Sequence, residues 1–172
     1  MTASFERVFA LGVDPGLSRC GYGAVRSVRG HLEVVGFGHL STPPTDELSS
    51  RLAQLWSDLE DLLDEFRPDV VVVERVLFQV NARTAMAVGQ ASGLALAAAA
   101  RRGIPVVQYS PNEVKLAVTG HGAAGKEQVQ AMVATLLGLS EPPRPADRAD
   151  ALALAITHLS GAGLRHMAGV VP

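Results

Sequence analysis

Four carboxylates carry the chemistry open to this sequence. Asp14 follows the apolar run Val8 to Val13 and precedes Pro15, which removes the next backbone donor, and Gly16, which permits a sharp turn. Glu74 closes a second apolar run, Asp69-Val70-Val71-Val72-Val73-Glu74. Asp147 and Asp150, three residues apart, share one face of a helix. Singly, each has an ordinary explanation: Asp-Pro-Gly is a common turn, Glu74 a solvated strand end, Asp147 a helix cap and Asp150 an acid favoured by the helix dipole. Brought to one rim, however, four carboxylates repel one another severely unless a cation neutralises them. Oxygen donors without thiols suit Mg²⁺ or Mn²⁺. Two such ions across a phosphodiester can polarise the phosphorus, generate hydroxide and stabilise the leaving 3′ oxygen.

The elements that would position these acids can be read in order. Val8 to Val13 is a short buried strand, and a carboxylate at its carboxyl end sits where open α/β sheets place ligands. Cys20 to Val28 and His31 to Leu40 read as two further strands around a tight turn at Arg29-Gly30, completing an antiparallel meander. Ser41 to Thr45, with Pro43-Pro44, is a connector. From Asp46 the apolar spacing changes to three and four through Leu52, Leu55, Leu59, Leu62 and Phe66, which predicts an amphipathic helix with acids in its first turn, closed by Pro68. The valine run lacks alternation, as in a strand covered on both faces. After a loop from Arg75 to Val80, Asn81 to Arg102 predicts a long helix rich in small residues, and Ile104 to Tyr109 a fifth strand. Ser110-Pro111-Asn112-Glu113 has the pattern of a capped helix start. Helices follow over Lys126 to Leu137 and from about Ala146 to Leu159, separated by the proline-rich Ser140 to Pro145. The expected fold is α/β: a mixed five-stranded sheet, three antiparallel strands then two parallel, flanked by helices. Residues 1–160 are expected to form a single domain and 161–172 a frayed, flexible tail.

Bulk properties narrow the function classes. A chain of 172 residues, 48% hydrophobic, can bury one good core but not two large lobes. A formal charge of -2 offers no global support for a nucleic-acid partner, so that case rests on local placement. The single cysteine, Cys20, excludes an internal disulfide and a Cys-based zinc site, and suits a buried position in a reducing compartment. Residues 1–7 lack the basic and apolar regions of a signal peptide, and Arg83 and Gln90 interrupt the small-residue helix, which argues against a membrane span. A soluble cytoplasmic protein is expected.

Gly12-Val13-Asp14-Pro15-Gly16, Glu74-Arg75-Val76, Val88-Gly89-Gln90-Ala91-Ser92-Gly93 and Asp147-Arg148-Ala149-Asp150-Ala151-Leu152-Ala153 together resemble the RuvC family of Holliday-junction resolvases, within the RNase H-like and retroviral-integrase nuclease superfamily. The resemblance covers nearly the whole chain. It implies a Mg²⁺-dependent crossover junction endodeoxyribonuclease of recombination and DNA repair that resolves four-way junctions by paired symmetric nicks. It also implies that Asp14, Glu74, Asp147 and Asp150 hold two metal ions per subunit, with Mn²⁺ able to substitute. Lys115 and Lys126 correspond to basic positions that assist catalysis or grip DNA, and the RuvA–RuvB branch-migration complex is the implied partner. One departure falls after Glu74: many members have Phe directly after the Glu-x-Val segment, whereas this chain has Leu77 and then Phe78. Leu77 corresponds to the family's junction wedge by position, and Phe78 is the better stacking partner by chemistry.

Arg75, Arg83, Lys115, Lys126 and Arg148 are candidate phosphate contacts because they neighbour the acids in sequence. A homodimer pairing through the Asn81 to Arg102 helix is expected, since a near two-fold junction needs two coordinated cuts. Competing readings are another RNase H-like nuclease acting on RNA–DNA hybrid or duplex with the same metal chemistry, and a catalytically inactive DNA-binding module, which would leave four acids unexplained. An actin- or sugar-kinase-like ATPase shares the Asp-x-Gly turn but needs a second lobe for which this chain is too short.

Overall fold

The computed structural model describes residues 7–75 and 81–167. Three strands come first, β1 (Val8–Asp14), β2 (Arg19–Val28) and β3 (His31–Ser41). Arg29 and Gly30, with φ of 51° and 84°, make the tight β2–β3 turn, since two successive positive φ values match the twist of a hairpin. Helix α1 (Leu48–Phe66) follows, then β4 (Val70–Glu74), α2 (Ala82–Arg101), β5 (Val106–Tyr109), α3 (Pro111–Thr119), α4 (Lys126–Leu137) and α5 (Ala146–Met167). The sheet order is β3-β2-β1-β4-β5, antiparallel through the first three strands and parallel between β1, β4 and β5. The expected mixed sheet is therefore the observed one.

Local chemistry explains most boundaries. The capping box at α3 forms as its pattern predicts: Ser110 Oγ accepts from Glu113 N at 3.3 Å, and Glu113 Oε2 from Ser110 N at 2.7 Å. Two expectations need correction. Asp46 and Glu47 precede α1 instead of occupying its first turn, with Glu47 at the cap position but making no side-chain capping bond. Helix α5 continues to Met167 and not to about Leu159, so 161–167 are helical where a frayed tail was expected; 168–172 lie outside the described residues.

The sheet separates two apolar layers. Phe9, Leu11 and Val13 of β1 and Val71 and Val73 of β4 pack with Leu55, Leu59, Leu62 and Leu63 of α1 and the buried alanines of α2. Ala10 of β1 and Val70 and Val72 of β4 pack with Val114 and Val118 of α3, Val129 and Val133 of α4, and Leu152 and Ile156 of α5. All four valines of β4 are buried, as a strand covered on both faces must be. Cys20 is buried as expected, and desolvation pushes its thiol up to about 12.

Helix α5 lies unusually close to the sheet. A Cβ on Gly12 of β1 would stand 1.9 Å from the carbonyl oxygen of Ala151, so only glycine permits this approach. Among the described residues no helix is long and apolar enough to cross a membrane.

Candidate active site

Strand alternation aims the first two acids. Side chains on a strand alternate faces, so Asp14 continues the Ala10 and Gly12 series and Glu74 the Val70 and Val72 series, both toward the α3–α5 layer. In the parallel ladder Val13 pairs with Val73, and each acid is the next residue of its strand. Asp14 pairs in turn with Gly21 of β2, and a Cβ on Gly21 would stand 2.1 Å from the Asp147 carbonyl oxygen. The first turns of α5 thus lie over the carboxyl end of β1, bringing Asp147 and Asp150 to the rim held by Asp14 and Glu74.

The electrostatics agree with this convergence. Burial first, then the charges of Glu74, Asp150 and Asp147, push Asp14 up to about 8, against a lowering influence of Lys126. Glu74 and Asp150 are also raised, mainly by burial; the charge of Asp150 adds to this for Glu74 and that of Asp147 for Asp150, while Lys126 opposes both shifts. Lys126, at the start of α4, places Nζ 3.1 Å from Asp150 Oδ2. Its own charge is penalised by burial but favoured on balance by the bond to Asp150 and the surrounding acids. Arg19 Nε stands 3.3 Å from Asp147 Oδ2, too poorly aligned to donate, and among the described residues that buried oxygen has no hydrogen-bond partner. Among the described residues no three His, Cys, Asp or Glu side chains form a ready-made metal cage. The donor set nevertheless suits a hard cation: it is all oxygen, its negative charge is costly as it stands, and one buried oxygen lacks a donor.

The other candidate residues divide. Arg75 follows Glu74 directly, with Nη1 3.7 Å from Glu113 Oε2 and Nη2 donating to the Gln108 carbonyl at 3.2 Å, so it is turned toward β5 and α3. Arg148 points along α5 to β3, where Nε donates to His39 Nδ1 at 3.2 Å. Lys115 is half-buried on α3 and forms no ion pair with the acids among the described residues. Arg83 lines an open groove beside Asp147. Leu77 and Phe78 lie outside the described residues. Sequence reasoning passed over Arg19 and Arg51, which reach the same groove, and the close glycine contacts of α5. The Gly21-x-Gly23 pair on one face of β2, with Gly12 opposite Gly23, was the available signal for that close packing.

A mixed sheet of this order, with acids at the ends of two neighbouring central strands and on the closing helix, defines an RNase H-like protein with an acidic rim. A family model described as crossover junction endodeoxyribonuclease RuvC matches residues 10–158, and the chain belongs to the RuvC family. The crossover junction endodeoxyribonuclease RuvC of Salinispora arenicola is 56% identical over 156 residues, spanning 90% of this chain and 89% of that protein. The structure of Thermus thermophilus RuvC in complex with a Holliday junction substrate is similar at a TM-score of 0.85 and 38% identity, covering 91% of this chain and 96% of that one. The yeast mitochondrial Holliday junction resolvase Ydc2, 17% identical, shares the fold at a TM-score of 0.67 over 98% of this chain and 86% of that one.

Proposed function

We propose that the chain is a metal-dependent endonuclease that resolves four-way DNA junctions by paired symmetric nicks, one from each subunit of a homodimer. The observation that carries this reading is the rim itself, where Asp14 is held up to about 8 by burial and by three further carboxylates. Asp14, Glu74, Asp147 and Asp150 would hold two Mg²⁺ ions, or Mn²⁺ in their place. When bound, such ions lower the pKa of water and stabilise charge on the attacked phosphate and its leaving oxygen. Glu74 and Asp14 are fixed in direction by their strands, whereas Asp147 and Asp150 are fixed by the close packing of α5. Lys126, already paired with Asp150, is placed to exchange that partner for a phosphate oxygen. Lys115, Arg75, Arg83 and Arg148 would supply further phosphate contacts along the DNA.

The outer face of α2 supports dimer formation. Met86 is 66% exposed there, and among the described residues a Cβ on Gly89 or Gly93 would meet no atom within 4 Å, so a second helix can approach this stripe closely. Leu77 and Phe78 enter the proposal as the apolar pair that holds opened bases apart, Phe78 foremost. We assign residues 1–160 to one nuclease domain acting in recombination and repair in the cytoplasm, with the RuvA–RuvB complex as partner. A gel decides the substrate: a synthetic four-way junction, a linear duplex and an RNA–DNA hybrid of matched sequence are incubated with Mg²⁺. Paired nicks on the junction alone are expected. Equal or preferential cutting of the hybrid or duplex would replace the substrate, and tight junction binding without cleavage would replace the activity.

A further inference from the structure

Three arginines converge on a groove that borders the acid rim. Arg19 on the β1–β2 side, Arg51 from α1 and Arg83 from the first turn of α2 line an open groove of about 410 Å³, with Gly16, Ser18 and Asp147 also on its walls. Three cations against one carboxylate make it locally basic, in a chain whose formal charge is -2. Arg51 is held in place: Nε donates to Thr42 Oγ1 at 3.0 Å and Nη2 to Ser18 Oγ at 2.8 Å. Thr42 is only 3% exposed, and its hydroxyl donates on to the Leu17 carbonyl at 2.5 Å. That guanidinium is thereby fixed to the turn that leaves Asp14. Arg83 is exposed, and among the described residues its side chain takes part in no hydrogen bond or ion pair. Arg19 keeps 55% of its side chain exposed while standing beside Asp147.

A guanidinium fork fits phosphate oxygens, and a fixed one gives up little freedom on binding. Because Asp147 borders both the groove and the acid rim, an anion seated here lies next to whatever occupies the rim. We infer that the groove seats a backbone phosphate of the strand being cut, near the scissile one. Arg51 is the fixed positioning residue, and Arg83 and Arg19 close on the same phosphate. This deepens the nuclease reading and rests on it: with one phosphate anchored, the next is registered over the carboxylates.

The test is a scan of single neutral methylphosphonates placed one at a time along the cleaved strand, with equilibrium binding measured without divalent metal. Wild-type affinity should drop several-fold at one position close to the cut. In Arg83→Gln and Arg51→Gln the unmodified junction should bind correspondingly less tightly, and the slope of log K against log salt should flatten by about 0.9 for one phosphate no longer neutralised. The variants should also be indifferent to the methylphosphonate at that one position while remaining sensitive elsewhere. Arg83→Gln keeps the test valid if Arg51→Gln loosens the packing of α1. Variants with the wild-type slope and the wild-type profile at every position would overturn the inference. So would inorganic phosphate competing at constant ionic strength while no methylphosphonate position matters. Repeating the scan on a linear duplex separates a failure of the groove from a failure of junction selectivity.

Discussion

Gly21 lies against the backbone of Asp147 so closely that a Cβ on the glycine would stand 2.1 Å from the Asp147 carbonyl oxygen and 3.1 Å from its Cβ. Since Gly21 also pairs with Asp14 across the β1–β2 ladder, one missing side chain sets the spacing between two acids of the rim.

Gly21→Ala should therefore impair the site beyond its effect on stability. Overpacking at such a point costs about 1–3 kcal/mol, while lifting the start of α5 moves Asp147 and Asp150 together. Thermal melting alongside cleavage checks this: a folded variant with less than a tenth of wild-type cleavage is expected, and full cleavage would mean that α5 need not lie so close.

Metal-free protein should become less stable as pH rises. Asp14 titrates at about 8 in the folded chain against 3.8 as an ordinary carboxyl, so between those values the folded state binds more protons than the unfolded one. Stability from this group is full below about pH 4 and is lost up to about pH 8. Glu74 and Asp150, raised in the same direction, add to the slope. Asp14→Asn should flatten this decline and gain up to roughly 5 kcal/mol over wild type at pH 8. Urea unfolding in a chelator at pH 5 and pH 8 measures both, and wild type and variant losing stability in parallel would contradict the assignment.

Added Mg²⁺ or Mn²⁺ should reverse that cost. A ligand that binds only the folded chain stabilises it by about 2.7 kcal/mol at a hundredfold excess over Kd, so the melting temperature should climb with metal in the wild type. It should barely move in Asp14→Asn, Glu74→Gln, Asp147→Asn or Asp150→Asn. Each variant should also cut junctions roughly a hundredfold more slowly or worse, yet bind them at least as well, because a charge that repels phosphate is gone. Normal cleavage by any one variant removes that residue from the set.

The path of the acids shows what the sequence discloses. Asp14 and Glu74 could be placed at strand ends because Pro15 and the valine run mark those ends, and Asp147 and Asp150 could be put on one helical face from their spacing. Their meeting could not be read so directly, since it depends on α5 packing against glycines of two strands, between residues far apart in the chain. Arg19 and Arg51 escaped for the same reason: they come from different elements, and only the Thr42 and Ser18 hydrogen bonds bring Arg51 to the turn. The segment after Leu159 was expected to fray because it lies at a terminus, whereas α5 continues through Gly161 and Gly163 to Met167.

Gly93→Arg should yield a monomer. Its position on α2 is open to a side chain within the subunit, so the fold should hold, whereas a bulky cation between two close helices should not be accommodated. Sedimentation analysis at micromolar concentration, with and without junction, gives the mass; an unchanged dimer would move the interface elsewhere.

Phe78→Ala should slow cleavage of an intact junction about tenfold, since stacking against a base contributes roughly 1–3 kcal/mol, and should spare a junction whose central pairs are already mismatched. Equal slowing on both substrates would assign the residue to the fold or to the acid rim instead.

The run Val70 to Val73 has a consequence for how the chain finds its register. Four identical side chains, buried on both faces, would pack about as well if β4 slipped by one residue, so hydrophobicity alone does not distinguish the two pairings. The flanking acids do. Asp69 accepts the Phe9 amide at 2.7 Å, and Glu74 stands beside Asp14; a slip would break the first bond and drive the second carboxylate toward the leucines of α1. Glu74 thus marks the frame of an otherwise uninformative strand, and inserting or deleting a single valine would leave a strand of normal composition while turning the rim's second acid to the wrong side of the sheet.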